Sequence, residues 1–367
     1  MKRLMIYVGD KKMTENLLEV VNKSTQGTII LDLESFDKST NQIKRFTTKG
    51  LLETEFPEPN WAIPNLIPEG LTILGGRPKI GKSWLLMQIA HAVGTGAEFF
   101  NRDVQAGNVL YIALEDSGSR LKERAIKQGI PSNANIEWVL EWPAMQNEGI
   151  DQLQLEIQTQ KFNTIVIDTL TRGLPGVNPT RNLPTIQRVY GDLQTIALEN
   201  NADIITSDHT RKPFGLNRDP IDDIIDSTSK TAIADATFAL YRQGNKQEAN
   251  LLGRGRDFED VDLMLDWDYE SFSWHSLGDS DEVLTNQSEI KVFTAIEELI
   301  ELGILPTTTK IADLTGMAKA NVSRTIGKLI GDQKIIRGDK QGREQPYYPN
   351  KYYQSDNDDN NDKHGTM

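Results

Sequence analysis

The stretch "GGRPKIGKSW", residues 75–84, constrains this chain more than any other. Before it stands "LTIL" (71–74), a short apolar run of strand character. After it stands "WLLMQIAHAV" (84–93), which carries an apolar face at helical spacing. Gly76, Gly81, Lys82 and Ser83 fit G-x-x-x-x-G-K-[ST], the Walker A pattern. Glycines let the backbone curl until several N–H groups point at one spot, and the following helix start adds partial positive charge. The loop Gly76, Arg77, Pro78, Lys79, Ile80, Gly81, Lys82, Ser83 and Trp84 is therefore expected to cradle the phosphates of ATP. Lys82 is expected on the β- and γ-phosphates and Ser83 on Mg2+. The dinucleotide alternative, G-x-G-x-x-G, does not occur.

A chain of 367 residues has room for two or three domains around this loop. It holds no run of 18 apolar residues, so no membrane span is expected. The apolar run in "MKRLMIYVGD" is too short for a signal peptide, and Asp10 ends it; a cytoplasmic protein is the expectation. There are no cysteines, which excludes disulfides, thiolate zinc sites and cysteine nucleophiles, and four scattered histidines argue against a metal cage. A net charge of −13 argues against non-specific coating of nucleic acid. That average hides a local reversal. Residues 306–351 hold nine Lys/Arg against four Asp/Glu, while 352–367 hold four Asp and one Lys.

Strands and helices alternate through the middle of the chain: "NVLYIAL" (108–114), "QLQLEIQTQ" (152–160), "TIVIDTL" (164–170), "TIQRVYGDLQTIALEN" (185–200) and "ADIITSD" (202–208). That order predicts an α/β fold with a mostly parallel sheet in three layers. Residues 1–50, with strand-like runs "LMIYV" and "TIILDL", read as an appended segment or arm. Residues 51–275 form the expected core, entered through a proline-rich extended segment, 56–70. Residues 276–287 read as a polar linker, 288–351 as a second domain and 352–367 as a disordered acidic tail.

A phosphate loop needs partners to hydrolyse anything. Asp168, at the end of "TIVIDTL", has the Walker B form and is expected to help Ser83 hold Mg2+. Glu115 and Asp116 end another strand, where ligands of open parallel sheets bind. Glu115 is the expected activator of water, with Asp116 expected to cap the next helix; the alternative is that both only cap. His209, in "TSDHTRK", is placed to sense the γ-phosphate. Arg254 and Arg256, in "LLGRGRDFED", are candidates for an arginine supplied to the phosphoryl group of a neighbouring subunit; the alternative is a hairpin with solvated charges.

The order of these five stretches resembles the RecA-type P-loop ATPases. It is most similar to the branch of the plasmid replicative helicase RepA and its AAA_25-type relatives. The resemblance covers about residues 51–275. It implies a RecA-type three-layer core and a homo-hexameric ring. It also implies roles for Lys82, Ser83, Glu115, Asp168, His209 and one of Arg254 and Arg256. Many relatives carry paired histidines where this chain has Asp208-His209. In such folds the loops after two core strands face DNA. Here these are 171–182 and 211–230, with Arg172, Arg181, Arg211, Lys212 and Arg218 as candidates to track single-stranded DNA.

The C-terminal stretch resembles a winged helix-turn-helix: helices at 288–303, 307–316 and 318–332, then a basic two-stranded wing at 334–349. Its third helix is expected to present Lys319, Asn321, Ser323, Arg324 and Lys328 to duplex DNA, with Arg337, Lys340 and Arg343 from the wing. Val322, Ile326, Leu329 and Ile330 are its expected apolar side. Protein docking is the alternative use of such a domain. The function expected is an ATP-hydrolysing, ring-forming DNA motor, a replicative helicase of a plasmid, phage or mobile element. The alternative is a DNA-bound ATPase switch that does not unwind.

Overall fold

The computed structural model describes residues 45–178, 181–209, 228–242 and 247–350. The runs at 4–8 and 28–33, the tail 352–367, and Arg211, Lys212 and Arg218 lie outside them. Contacts divide the chain into residues 1–57 and 58–367. In the first unit, helix α1 (Thr48–Glu53) is capped by Thr47, whose hydroxyl accepts from the Gly50 N–H at 3.1 Å. None of its side chains is buried.

In the second unit the proline-rich entry is more than an extended lead. β1 (Trp61–Ile63) and β2 (Ile67–Pro68) pair antiparallel. Ala62, Ile63, Leu66 and Ile67 are buried between them and the core. The prolines keep this stretch out of a helix, and the apolar residues spaced among them give it surface to bury.

Next come β3 (Gly70–Gly76), α2 (Lys82–Thr95), β4 (Val109–Ala113), α3 (Gly118–Lys127), β5 (Ile136–Val139), α4 (Ile150–Gln160) and β6 (Thr164–Asp168). They are followed by α5 (Leu183–Glu199), β7 (Asp203–His209), α6 (Thr228–Ile233) and β8 (Ala236–Arg242). β9 (Glu248–Gly255), β10 (Val261–Asp268) and β11 (Ser273–Asp279) complete one nine-stranded sheet, ordered β11-β10-β9-β8-β3-β7-β6-β4-β5. The six strands from β8 to β5 pair in parallel, and β9 to β11 extend the sheet as an antiparallel meander.

Every residue of β3, β4 and β6 is buried, as a parallel sheet covered on both faces requires. Strand alternation divides them between two cores. Ile165 and Ile167 pack with Leu153 and Ile157 of α4 and Val189 and Leu193 of α5. Val166 joins Leu85, Leu86 and Ile89 of α2 on the opposite face. The RecA-type three-layer core expected from the sequence is therefore present. Asp235 joins several of its parts. Its buried carboxylate accepts from the Leu71 N–H (2.9 Å), the Gln194 amide (2.8 Å) and the Arg256 guanidinium (3.2 Å).

The stretch 276–287 is no linker. It contains the end of β11 and the first two turns of α7 (Ser280–Glu301). Asp279 caps that helix, accepting from the N–H groups of Asp281 (3.0 Å) and Glu282 (3.2 Å). Its polar composition, which suggested a linker, reflects a capped and largely solvent-facing helix start. α8 (Thr308–Thr315) and α9 (Lys319–Gly331) follow, then the antiparallel pair β12 (Ile335–Arg337) and β13 (Tyr347–Pro349). Val292, Ile296, Leu299, Ile311, Val322, Ile326 and Leu329 share a separate small core, and Ile330 is partly buried against it. Glu289 of α7 is buried there between Lys328 and Lys334, each 2.8 Å away.

Asp235→Ala leaves the Leu71 N–H without its acceptor and strands one end of a buried polar network. It should cost about 3 kcal/mol of stability. Urea unfolding would register this as a lower midpoint at unchanged slope; an unaltered midpoint would refute the role given to Asp235.

Candidate functional site

The parallel strands deliver four chemistry-bearing residues to one edge. β3 ends in the glycine loop, β4 leads to Glu115, β6 ends in Asp168 and β7 ends in His209, whose backbone lies opposite Gly76. Between them opens a cleft of about 460 Å³, lined by Pro78, Lys79, Gly81, Lys82, Ser83, Trp84, Glu115, Arg124, Asp168 and Thr169. Its place, outside the carboxyl ends of parallel strands, is where open α/β sheets bind ligands.

The loop itself is held tightly. Gly81 has φ 109°, and a Cβ there would lie 2.9 Å from the Trp274 ring, so only glycine fits. Arg77, Pro78 and Lys79 are exposed, while Lys82 is 6% exposed. The Lys82 ammonium donates to the carbonyls of Gly76 (2.7 Å) and Arg77 (3.0 Å). Burial pushes its pKa down to about 8, against the opposing pull of Asp168, Asp208 and Glu115.

Asp168 is 4% exposed. Its carboxylate accepts from Ser207 (2.7 Å), from Tyr111 (3.3 Å) and from the Ser83 hydroxyl. Burial raises its pKa, and the hydrogen bonds from Ser207 and Ser83 oppose the shift. Ser83 and Asp168 thus bring a hydroxyl and a carboxylate together beside the loop, a hard-oxygen pair suited to Mg2+.

The two acids after β4 separate. Asp116 does not cap α3; Ser117 does, accepting from the Arg120 N–H at 3.4 Å. Asp116 instead binds Arg124 and Arg120, because the next helix sets both cations on the face toward it. Glu115 remains at the cleft, exposed to solvent. It accepts from Thr169 Oγ1 at 3.1 Å and lies 3.6 Å from Arg172 Nε. Arg172, expected along a DNA-facing loop, therefore reaches toward the candidate catalytic acid. Arg181 is exposed.

The two arginines of the β9–β10 hairpin also differ. Arg256 is held by Asp235 and by the Ala232 carbonyl (2.9 Å). Arg254 pairs with Asp260 at 3.3 Å, both side chains largely exposed. At the C-terminal unit, Lys319, Asn321, Ser323, Arg324, Arg337, Lys340 and Arg343 are exposed. Lys328 is exposed too, but its ammonium is committed to Glu289.

Sequence reasoning missed several parts of the site. Thr169 and Ser207 each stand beside a residue it singled out, yet only the fold shows which acid each one holds. Arg124 lines the cleft with its guanidinium 5.1 Å from the Trp84 ring centre; the sequence signal was the cationic face of α3. Asp208, Lys230 and Tyr190 form a buried cluster that no spacing announces.

Residues 38–214 match the family AAA_25, an AAA domain. The chain is 28% identical over 126 residues to the DNA repair protein RadA of Synechocystis sp., covering 34% of this chain and 22% of that protein. It is 26% identical over 163 residues to RadA of Streptococcus pneumoniae, covering 44% and 35%. The chain thus spans about a third or less of the length of these curated relatives. Among solved structures, a helicase-like ATPase domain matches with TM-score 0.47 and 16% identity, covering 57% of this chain and 85% of that one. A DnaB-like replicative helicase, described with its interactions with primase, matches with TM-score 0.49 and 14% identity, covering 72% and 71%. No helix among the described residues is long and apolar enough to cross a membrane. The family match enters the strand, glycine loop and acid-bearing strand ends described above: the segment 38–214 is an AAA_25 domain, and its core is a RecA-type P-loop ATPase fold.

Proposed function

We propose that the chain is an ATP-hydrolysing, ring-forming DNA motor of the replicative-helicase kind. The observation that carries the ATPase part is the cleft in which Lys82, Ser83, Glu115, Asp168 and Thr169 meet. The loop N–H groups and Lys82 bind the β- and γ-phosphates. Ser83 and Asp168 hold Mg2+, which when bound neutralises charge growing on the phosphoryl oxygens. Glu115, oriented by Thr169, accepts the proton of the attacking water. His209, across from Gly76, senses the γ-phosphate. Trp84 and Arg124 offer flat surfaces for the base.

The DNA part is supported by the relatives, which are named as DNA repair proteins, and by the exposed basic residues of the C-terminal unit. That unit is read as a winged helix that docks α9 and the β12–β13 ribbon on duplex DNA, while the loop 171–182 and the segment after β7 track a single strand. Directional strand separation coupled to ATP turnover would establish the helicase; turnover and DNA binding without separation would favour an ATPase switch.

Lys82→Ala should abolish ATP turnover. Glu115→Gln should bind ATP and lose about 10²–10⁴-fold in hydrolysis, because an amide cannot take the proton. Turnover near wild type in Glu115→Gln would remove Glu115 from its role.

Arg254 is the better candidate for the trans finger, since Arg256 serves the fold and an exposed pair such as Arg254–Asp260 is worth little. Arg254→Ala should lack turnover alone and regain it when mixed with Lys82→Ala, because mixed rings then hold some intact sites. Mixed rings with no recovered turnover would exclude a shared site.

Duplex binding by the full chain should fall with salt by roughly 0.9 in log–log slope per phosphate contact. Arg324→Ala and Arg343→Ala should each reduce that slope by about 1. Lys328→Ala should leave the slope unchanged, since its charge already faces Glu289. Slopes indifferent to Arg324 and Arg343 would favour protein docking instead.

A further inference from the structure

One buried ion pair has no part in the site as described. Lys230 of α6 and Asp208 of β7 lie 2.7 Å apart, each side chain 9% exposed. Tyr190 donates to the same Asp208 oxygen at 3.0 Å, and Thr171 Oγ1 lies 3.5 Å from the other. Lys230 also stands over the Tyr190 ring, 5.3 Å from its centre. Burying two charges is expensive, and a neutral pair of similar volume commonly does as well or better for stability. The position of the pair suggests another use.

Asp208 sits opposite Gly75 in the β3–β7 register, one residue before the carbonyl that holds Lys82. It is one of three carboxylates whose fields reach the Lys82 ammonium, with Asp168 and Glu115. A triphosphate entering the loop brings several negative charges into that field. Asp168 is engaged by Ser83, and Glu115 is open to water with Arg172 beside it. Asp208 is buried on the sheet side of the loop, where water screens little.

We propose that Lys230 is the charge-compensating residue of the triphosphate site: it cancels the field of Asp208 at the phosphate loop, so that Asp208 can anchor Tyr190 without repelling the γ-phosphate or competing for Lys82. The inference rests on the nucleotide-binding reading above. It assigns Lys230 a positioning and electrostatic role, without contact to the nucleotide.

The test is equilibrium binding of Mg-ATP and Mg-ADP, carried as fluorescent analogues, to the full chain at fixed ionic strength. Lys230→Met should weaken ATP about tenfold, the effect of about 1.4 kcal/mol. It should weaken ADP less, because the γ-phosphate is missing. Asp208→Asn with Lys230→Met should return ATP affinity to within about threefold of wild type, since both charges are gone. Asp208→Asn alone should bind ATP at least as tightly as wild type. A merely structural role would move ATP and ADP together and would not be reversed by the double substitution; that pattern overturns the inference. Unchanged ATP binding in Lys230→Met overturns it as well. If Lys230→Met does not fold, the Asp208→Asn protein decides: weaker ATP binding there is incompatible with the proposal. Loss of ATP binding in the wild type itself would instead overturn the nucleotide reading, and the inference with it.

Discussion

The structure turns on one buried cation. Lys82 is taken out of water at the start of a helix, a place that already favours negative charge. Folding pushes its pKa from 10.5 to about 8, so its charged form costs on the order of 3 kcal/mol. That cost is present below about pH 8 and is relieved as pH rises toward 10.5. Around the ammonium stand loop carbonyls at 2.7 and 3.0 Å and carboxylates from three different strand ends. The cation is thus charged but held by weak acceptors, ready to exchange them for phosphate oxygens. Parallel strand order explains how the acids arrive: β3, β4, β6 and β7 all point their carboxyl ends the same way, so residues far apart in the chain share one rim.

The antiparallel extension keeps the loop rigid. β10 and β11 bring Trp267 and Trp274 against α2 and its flanks. The Trp274 indole N–H donates to the Gly81 carbonyl at 3.4 Å, and the Gln88 side chain spans Trp274 by donating to its carbonyl and accepting from its N–H. A helix whose first turn must hold phosphate benefits from such a clamp, because binding then orders little that is not ordered already. The same hairpin system carries Arg254 and Arg256, so the clamp and the proposed finger share one meander.

What could be read from the sequence depended on how local the constraint was. The glycine loop and Asp168 were legible because short-range rules fix them: a strand, a turn that needs glycine, a helix, an acid after an apolar run. Glu115 and Asp116 could not be told apart, since their fates depend on Arg120 and Arg124 one and two turns into the next helix and on Thr169 from another strand. Lys328 looked like a phosphate contact because helical spacing places it on the polar face. Glu289, which takes its charge, lies on a different helix. The false linker at 276–287 has the same origin. A capped helix start is rich in Asp, Ser and Glu, and so is a linker; only continuation of the apolar period from Val292 to Leu299 distinguishes them.

That continuation has a mechanical consequence. β11 passes into α7 at a capped junction, and Asn250 of β9 donates to Ser280 at 2.8 Å across it. α7 then runs 22 residues, about 33 Å at 1.5 Å per residue, into the C-terminal core. Glu289, midway along it, binds Lys328 of α9 and Lys334 beside β12. One stiff element therefore reaches from the hairpin that clamps the phosphate loop to the helix and ribbon that carry the exposed basic residues. A displacement of β10 and β11 on nucleotide exchange cannot be absorbed by slack chain at that junction; it must tilt α7 or repack its base. The capped junction, which composition disguised as a tether, is what makes the C-terminal unit mechanically sensitive to the nucleotide site.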